Sequence, residues 1–195
     1  ALHPEALLRF DATLAHFAKT ISRLKPERVL ACATSAARDS INRDELIAIG
    51  RKHGVPIEVI SGEKEAELTF RGTLSGESQG PVAIVDVGGG STELMFGEPG
   101  RLESRVSLDV GAVRLTERFG VDVGAITAMR EAVLVAIEKS GFSADGRSRR
   151  VIGVAGTPTT LAAIDLKLSK FDSERVHGHR FTLNAIEDWI ARLAP

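Results

Sequence analysis

Apolar residues recur at spacings of three and four along the first segment of the chain, residues 4–24. The stripe that they form consists of Leu7, Phe10, Leu14, Phe17, Ile21 and Leu24. This periodicity predicts an amphipathic helix. Short apolar runs then alternate with longer amphipathic stretches, and they predict a strand at 28–33, a helix at 43–53, a strand at 57–60 and a helix at 62–74.

The pattern changes beyond residue 80, where three strand-like apolar runs follow one another at 81–87, 91–98 and 102–110. The turns GGG and PGR join these runs and predict an antiparallel meander. Two helices, a strand and a further helix are expected next, at 111–119, 125–140, 151–156 and from Pro158 onward. We therefore predict an α/β fold with mixed sheets.

The polar, glycine-bearing stretch at 75–80 is the predicted domain boundary, which gives domains at 1–74 and 75–195. The first domain has the element order of the second, except that it lacks the opening meander and has one more strand and helix at its end. This shared order, which no visible sequence repeat accompanies, indicates two related domains.

Composition narrows the class of protein. The 195 residues include 25 basic and 26 acidic side chains. The sequence contains no cluster of basic residues with interleaved aromatics, so we do not expect a nucleic acid polymer as a partner. The apolar runs, such as 132–137, are too short to cross a bilayer, and the N-terminus does not resemble a signal peptide. We predict a cytoplasmic protein without membrane attachment. The single cysteine, Cys32, is expected to be a small buried residue of a strand and not a nucleophile.

The segment VDVGGGSTEL at 85–94 carries the most specific chemistry. Three glycines permit backbone angles closed to other residues, so successive N–H groups can point into one concavity that suits a phosphate. Asp86 and Glu93 flank the loop, and a divalent cation such as Mg²⁺ would bridge these carboxylates to phosphate oxygens. A hairpin whose glycines only make the turn is the alternative, which the flanking acids disfavour. The predicted phosphate ligands are Gly88, Gly89, Gly90, Ser91 and Thr92.

A second glycine turn, at 153–160, lies where a strand ends and a helix begins. The N-terminus of that helix would offer N–H groups to an anion or a nucleotide. Gly156 and Thr157 are therefore candidate phosphate-binding residues, although an ordinary helix cap explains the turn equally well.

Five segments, IVDVGGGSTEL, ISGEKEAEL, ATSAARDS, GVAGTPTTLAAI and VHGHRFTL, together resemble the exopolyphosphatase and guanosine pentaphosphate phosphohydrolase family, Ppx/GppA. The resemblance covers nearly the whole chain. The glycine loop alone also suits the wider superfamily of actin, Hsp70 and sugar kinases. The resemblance therefore implies duplicated actin-like (ribonuclease H-like) domains with phosphate bound between them. The segment ISGEKEAEL separates the phosphatases from the rest.

The resemblance also implies roles for individual residues. In the family, a glutamate that precedes an alanine after an Ile-Ser-Gly turn acts as general base on the attacking water, and Glu65 holds that position here. Arg38 is similar to a family arginine that pairs with substrate phosphate. Asp86 and Glu93 would hold Mg²⁺, and we expect Glu65 to face the glycine loop across a cleft. The implied reaction is hydrolysis of the terminal phosphoanhydride of inorganic polyphosphate or of pppGpp.

Two departures from the family pattern stand out. Lys64 occupies a position where the family often has a second acid. The family's opening Asp-x-Gly phosphate hairpin has no counterpart before the first predicted helix, and the last segment stops before the closing strand and helix of the second domain. We therefore expect a central fragment, truncated at both ends, that is nearly inactive by itself.

Other classes of function stay open at the level of sequence. A non-catalytic phosphate or nucleotide sensor, or an inactive fragment, is the main alternative, and the three acids Glu65, Asp86 and Glu93 favour the enzyme over it. A kinase of the same superfamily would need an acceptor site, for which the sequence offers no residues. His177 and His179 lack a third ligand at metal-binding spacing, so we expect them to support the second domain. A homodimer is an open alternative.

Overall fold

The computed structural model describes residues 1–75, 80–143 and 150–193, without the side chain of Val123. The chain divides into two compact units, Ala1–Glu65 and Ala66–Pro195. This division falls inside a helix, whereas the sequence predicts a domain boundary at 75–80. Most of that stretch lies outside the described residues, and the assignment of domains 1–74 and 75–195 stays a prediction.

The first unit combines helices with a two-stranded parallel sheet. Its elements are α1 (Pro4–Leu24), β1 (Ala31–Ala33), α2 (Ser35–Arg38), α3 (Arg43–Lys52), β2 (Ile57–Val59) and the first turn of α4 (Gly62–Thr73). Helix α1 begins with proline at N1 behind His3, whose side chain accepts a hydrogen bond from the Glu5 N–H, and it buries Leu7 and Leu14 of the predicted stripe. Strands β1 and β2 pair in parallel, with Cys32 opposite Glu58.

One expectation for the first unit is wrong, and one of its elements was not predicted. Cys32 is exposed and not buried, because its side chain projects from the face of β1 opposite to the half-buried Ala31 and Ala33. Helix α2 was not predicted, since a helix of four residues is too short to show a periodic pattern.

The second unit contains a four-stranded mixed sheet flanked by helices. Its elements are the rest of α4, β3 (Val82–Val87), β4 (Thr92–Glu98), β5 (Arg101–Leu108), α5 (Ala112–Phe119), α6 (Val123–Ser140), β6 (Val151–Val154), α7 (Gly156–Asp165), α8 (Ser173–Val176) and α9 (Leu183–Leu193). The strand order is β5-β4-β3-β6, antiparallel except for the parallel β3–β6 pair. The predicted meander and the α/β class are confirmed.

Each face of this sheet has its own apolar core. The first core consists of Ala66, Phe70 and Leu74 of α4 and its end with Val82, Ile84 and Met95 of the sheet. The second consists of Leu94, Leu108 and Val110, against which residues of α5 and α6 pack. Successive side chains of a strand alternate between faces, so Asp86 projects to the same face as Val82 and Ile84. That face is the one covered by α4.

The segment with two histidines supports the second unit, as predicted. The Nε2 atom of His179 lies 2.8 Å from Oδ2 of Asp165, and the Trp189 indole donates to Oδ1 of the same carboxylate at 2.8 Å. Asp165 thereby joins the end of α7 to α9. Among the described helices, none is both long and apolar enough to cross a membrane.

Candidate functional site

Arg38 and Glu65 form an ion pair in the first unit. Arg38 is the last residue of α2, and its Nη1 donates to the Ile60 carbonyl at 3.0 Å and to Oε2 of Glu65 at 3.4 Å. Both side chains are largely shielded from solvent, with 25% and 18% exposed. Glu65 is fixed in the first turn of α4, where its N–H donates to the Ser61 carbonyl. The structure therefore brings together the predicted general base and the predicted phosphate-binding arginine.

A cavity of about 440 Å³ adjoins this ion pair within the first unit. Its lining includes Arg38, Ser61 and a second arginine, Arg43 at the start of α3. Arg43 could not be predicted from the sequence, because one exposed arginine at a helix start carries no distinctive pattern.

Asp86 and Glu93 are directly opposite each other in the β3–β4 ladder. Paired residues of an antiparallel ladder have Cβ atoms about 4.5–5.5 Å apart on the same face of the sheet. Thr69 donates its hydroxyl hydrogen to Asp86 at 3.1 Å, and Ser107 donates to Glu93 at 2.7 Å. The hairpin thus holds two carboxylates side by side, each oriented by a neighbouring hydroxyl.

One of the two carboxylates is half-buried and the other is fully buried. Glu93 is only 1% exposed. Burial raises the pKa of Asp86 above its usual value, against the opposing effect of the Thr69 hydrogen bond. Hard oxygen ligands of this kind suit Mg²⁺, which usually takes one or two protein carboxylates and completes its shell with water and phosphate oxygens. No cluster of three or more metal-ligating side chains occurs in the described ranges, so the donor set fits such a partly hydrated ion and not an all-protein cage.

The glycines of the loop do not adopt the backbone angles that the sequence predicts. None of Gly88, Gly89 and Gly90 adopts a φ in the left-handed region. Two of these positions leave little room for a side chain. A Cβ atom at Gly88 would lie 3.1 Å from the Ser91 carbonyl oxygen, and one at Gly89 would lie 3.2 Å from Cγ2 of Val113. Limited space, and not a left-handed backbone, therefore accounts for Gly88 and Gly89, and the expectation of special backbone angles is wrong.

The carbonyl groups of the loop are directed toward α5. The N–H of Ala112 donates to the Gly88 carbonyl at 3.0 Å, and those of Val113 and Arg114 donate to the Gly89 carbonyl at 2.9 and 3.0 Å. Nε of Arg114 donates to the Gly90 carbonyl at 2.6 Å.

The loop also presents backbone donors. In a trans peptide the C=O and the following N–H point in opposite directions, so the N–H groups of Gly89, Gly90 and Ser91 point away from α5. Within the part of the chain that is described, these three N–H groups have no hydrogen-bond acceptor. Successive backbone N–H groups that are available in this way can bind an anion.

The second glycine turn shares a cavity with the loop. This cavity of about 540 Å³ is lined by Gly88 and Gly89 on one side and by Gly156 and Thr157 of the first turn of α7 on another. The lining continues through Thr160 to apolar side chains, which are Leu161, Ile164 and Leu193. The two turns that the sequence predicts to bind phosphate thus lie at the same end of the sheet.

The hydroxyl of Thr92 donates to the Val110 carbonyl at 2.7 Å. Its role toward phosphate stays a prediction, as do the roles of the other site residues. Besides Arg43, the structure adds four residues that were not predicted, namely Thr69, Ser107, Gly111 and Arg114. The glycine before a helix without a capping side chain, in DVGAVRL, is a signal that could have indicated Gly111.

Comparison with known proteins gives a consistent result. The model of the Ppx/GppA phosphatase family matches residues 1–195. Exopolyphosphatase 2 of Mycobacterium tuberculosis is 36% identical over 187 residues, which are 89% of this chain and 58% of that protein. A bifunctional 3-dehydroquinate synthase/phosphatase of Fusobacterium nucleatum is 32% identical over 206 residues, 96% of this chain and 30% of that protein. The chain therefore spans little more than half of the first of these relatives.

Solved structures agree with the sequence comparison. The Aquifex aeolicus PPX-GPPA enzyme superposes with a TM-score of 0.80 at 31% identity, over 99% of this chain and 65% of that one. An exopolyphosphatase from Cytophaga hutchinsonii superposes with a TM-score of 0.84 at 28% identity, over 99% of this chain and 65% of that one. The fold is therefore the actin-like α/β fold of these proteins.

Proposed function

The chain belongs to the Ppx/GppA phosphatase family, and from this membership we propose that it is part of a Mg²⁺-dependent hydrolase that removes the terminal phosphate of inorganic polyphosphate. The observation that carries the proposal is the hairpin of β3 and β4. It combines two paired carboxylates, Asp86 and Glu93, with the three outward-facing N–H groups of its loop.

Binding of the phosphate follows from charge. A polyphosphate end carries several negative charges, which two neighbouring carboxylates alone would repel. Mg²⁺ held by Asp86 and Glu93, directly or through water, would neutralise that charge and polarise the phosphoryl oxygens. The amides of Gly89, Gly90 and Ser91 would donate to the same phosphate, and the Ser91 hydroxyl is proposed as a further donor.

Water activation is assigned to Glu65. In this proposal its carboxylate accepts the proton of the water whose oxygen attacks the terminal phosphorus, and the bond to the bridging oxygen breaks as the shortened chain leaves. Arg38 supports the assignment because its guanidinium orients Oε2 of Glu65 and has further N–H donors for a substrate phosphate. The position of Glu65 after Ile60, Ser61 and Gly62, in the pattern that the family uses for its base, supports it as well.

A nucleotide is the second candidate ligand. The cavity shared by the two glycine turns is also lined by Leu161, Ile164 and Leu193, which offer an apolar surface to a base or ribose. This observation supports pppGpp hydrolysis, or a non-catalytic nucleotide sensor, as the alternative to hydrolysis of inorganic polyphosphate. The cytoplasmic location and the division into two actin-like domains remain parts of the proposal.

Phosphate release by the full-length protein tests the proposed function. Wild type is incubated with medium-chain polyphosphate and, separately, with pppGpp, each with Mg²⁺ and with EDTA, and free phosphate is followed with malachite green. We expect phosphate to be released from polyphosphate, and we expect this release to require Mg²⁺. Binding of either substrate without release would support the sensor, and release that EDTA leaves unchanged would contradict the metal assignment.

A further inference from the structure

The N-terminus of α5 is capped by the glycine loop. No side chain caps this helix at Gly111, and the N–H groups of Ala112, Val113 and Arg114 donate to the carbonyls of Gly88 and Gly89 instead. The first N–H groups of a helix otherwise lack partners inside the helix. The first N–H groups of α5 and the carbonyls of the loop are therefore hydrogen-bond partners. The backbone of the loop is held by a segment that follows it in the chain.

The third carbonyl of the loop is held by a side chain. The α5 backbone takes the carbonyls of Gly88 and Gly89, and Nε of Arg114 takes that of Gly90 at 2.6 Å. A charged donor makes a shorter and stronger hydrogen bond than a neutral one. Arg114 also has its Nη2 4.0 Å from Asp109, which precedes α5. The bond from Nε to Gly90 is thus the short contact of this guanidinium, and the exposed Asp109 carboxylate lies at the limit of ion-pair distance.

The direction of a carbonyl fixes the direction of the N–H in the same peptide. The bond from Arg114 to the Gly90 carbonyl therefore orients the Ser91 N–H, just as the bonds from the α5 backbone orient those of Gly89 and Gly90. We propose that Arg114 is a positioning residue, which turns the Gly90–Ser91 peptide so that its N–H joins the other two in binding the substrate phosphate. The inference rests on the proposed function and assigns Arg114 no contact with the substrate.

Two substitutions separate position from charge. Lysine has a methylene group where arginine has Nε, so Arg114→Lys keeps the positive charge and loses the donor that contacts Gly90. Arg114→Met loses both. Arg118→Met is the matched control, because Arg118 lies four residues later on α5, is exposed, and stacks on Phe119 at 4.9 Å.

The first measurement needs no ligand. Residual dipolar couplings of the N–H groups of Gly89, Gly90 and Ser91 are recorded for wild type and the three variants of the 195-residue chain. We expect the Ser91 coupling to change in both Arg114 variants and to stay the same in Arg118→Met. Wild-type couplings in Arg114→Met would overturn the inference.

The second measurement is titration calorimetry with Mg²⁺ and tripolyphosphate, at a temperature where thermal unfolding shows every variant to be folded. Both Arg114 variants are expected to bind about tenfold more weakly, as on loss of a hydrogen bond to a charged group, and the control is expected to bind like wild type. A purely structural role would lower the unfolding midpoint and leave the affinity unchanged. Wild-type affinity in Arg114→Lys would show that charge suffices and would overturn the inference. Lack of binding by wild type would count against the proposed phosphate site, and the couplings alone would then decide whether Arg114 orients the peptide.

Discussion

Asp86 and Glu93 are direct cross-strand partners in the antiparallel β3–β4 ladder. Like charges at such positions destabilise a sheet. Burial adds to this cost, since it raises the pKa of Asp86 and leaves Glu93 almost without solvent contact. An arrangement that disfavours its own ionised form is typical of a site that binds a cation.

Metal-dependent stabilisation is expected to require Asp86. With Mg²⁺ and tripolyphosphate at about 100 times the dissociation constant, wild type should gain about 2.7 kcal/mol of unfolding free energy by mass action. Asp86→Asn should lose most of that gain. Thermal unfolding with and without both ligands measures it, and Glu98→Gln, at the exposed end of β4, is the control. Equal stabilisation of Asp86→Asn and wild type would contradict the metal site.

The raised pKa of Asp86 predicts a pH dependence without metal. A carboxyl group with a raised pKa in the folded state binds its proton more tightly when folded, so its favourable effect is present below its unfolded pKa of 3.8 and is lost as pH rises through the folded value. Asp86→Asn should therefore become more stable relative to wild type as pH rises above 3.8. Urea unfolding of both proteins from pH 3.5 to 7 in EDTA tests this. A difference that stays constant over the range would contradict it.

Asp165 should show the opposite dependence. Hydrogen bonds from Trp189 and then from His179 hold the pKa of Asp165 below its usual value. Stability from this group is present above the unfolded pKa of 3.8 and is lost as pH falls through the lower folded value. Asp165→Asn should thus be less stable than wild type at pH 7, with the difference shrinking in acid. Asp188→Asn, on exposed α9 surface, is the control, and an equal effect of both substitutions would argue against the hydrogen-bonded cluster.

Gly111 is expected to tolerate no side chain. A Cβ atom there would lie 2.5 Å from the Gly89 carbonyl oxygen, although its extended φ of −159° suits any residue. Gly111→Ala should therefore displace the loop and lower the unfolding free energy by about 1–3 kcal/mol, as overpacking does. Gly124→Ala, in α6 with nothing within 4 Å of its Cβ position, should be neutral or stabilising. Chemical denaturation of the two variants measures these changes in unfolding free energy. An unchanged unfolding free energy in Gly111→Ala would contradict the close contact with Gly89.

The sequence predicted what depends on local pattern. Three successive apolar runs and the turns GGG and PGR are enough to specify the meander of β3, β4 and β5. The loop beside Asp86 and Glu93 could likewise be recognised, because its residues are consecutive. The reason why glycines occupy the loop could not be predicted. Gly89 contacts Gly111 and Gly90 contacts Arg114, and these contacts join segments whose spacing follows no periodic rule. The hydroxyls of Thr69 and Ser107 escaped prediction for the same reason.

Exchange of Glu65 in the full-length protein tests the central claim most directly. Glu65→Gln keeps the size of the side chain and removes its basicity, so turnover of polyphosphate should fall by about 10²- to 10⁴-fold with little change in substrate binding. Glu63→Gln, an exposed acid on the same helix, is the matched control and should retain turnover. The measurement is the steady-state rate of phosphate release at saturating Mg²⁺ and polyphosphate. Wild-type turnover in Glu65→Gln would contradict the assignment of Glu65 as the general base.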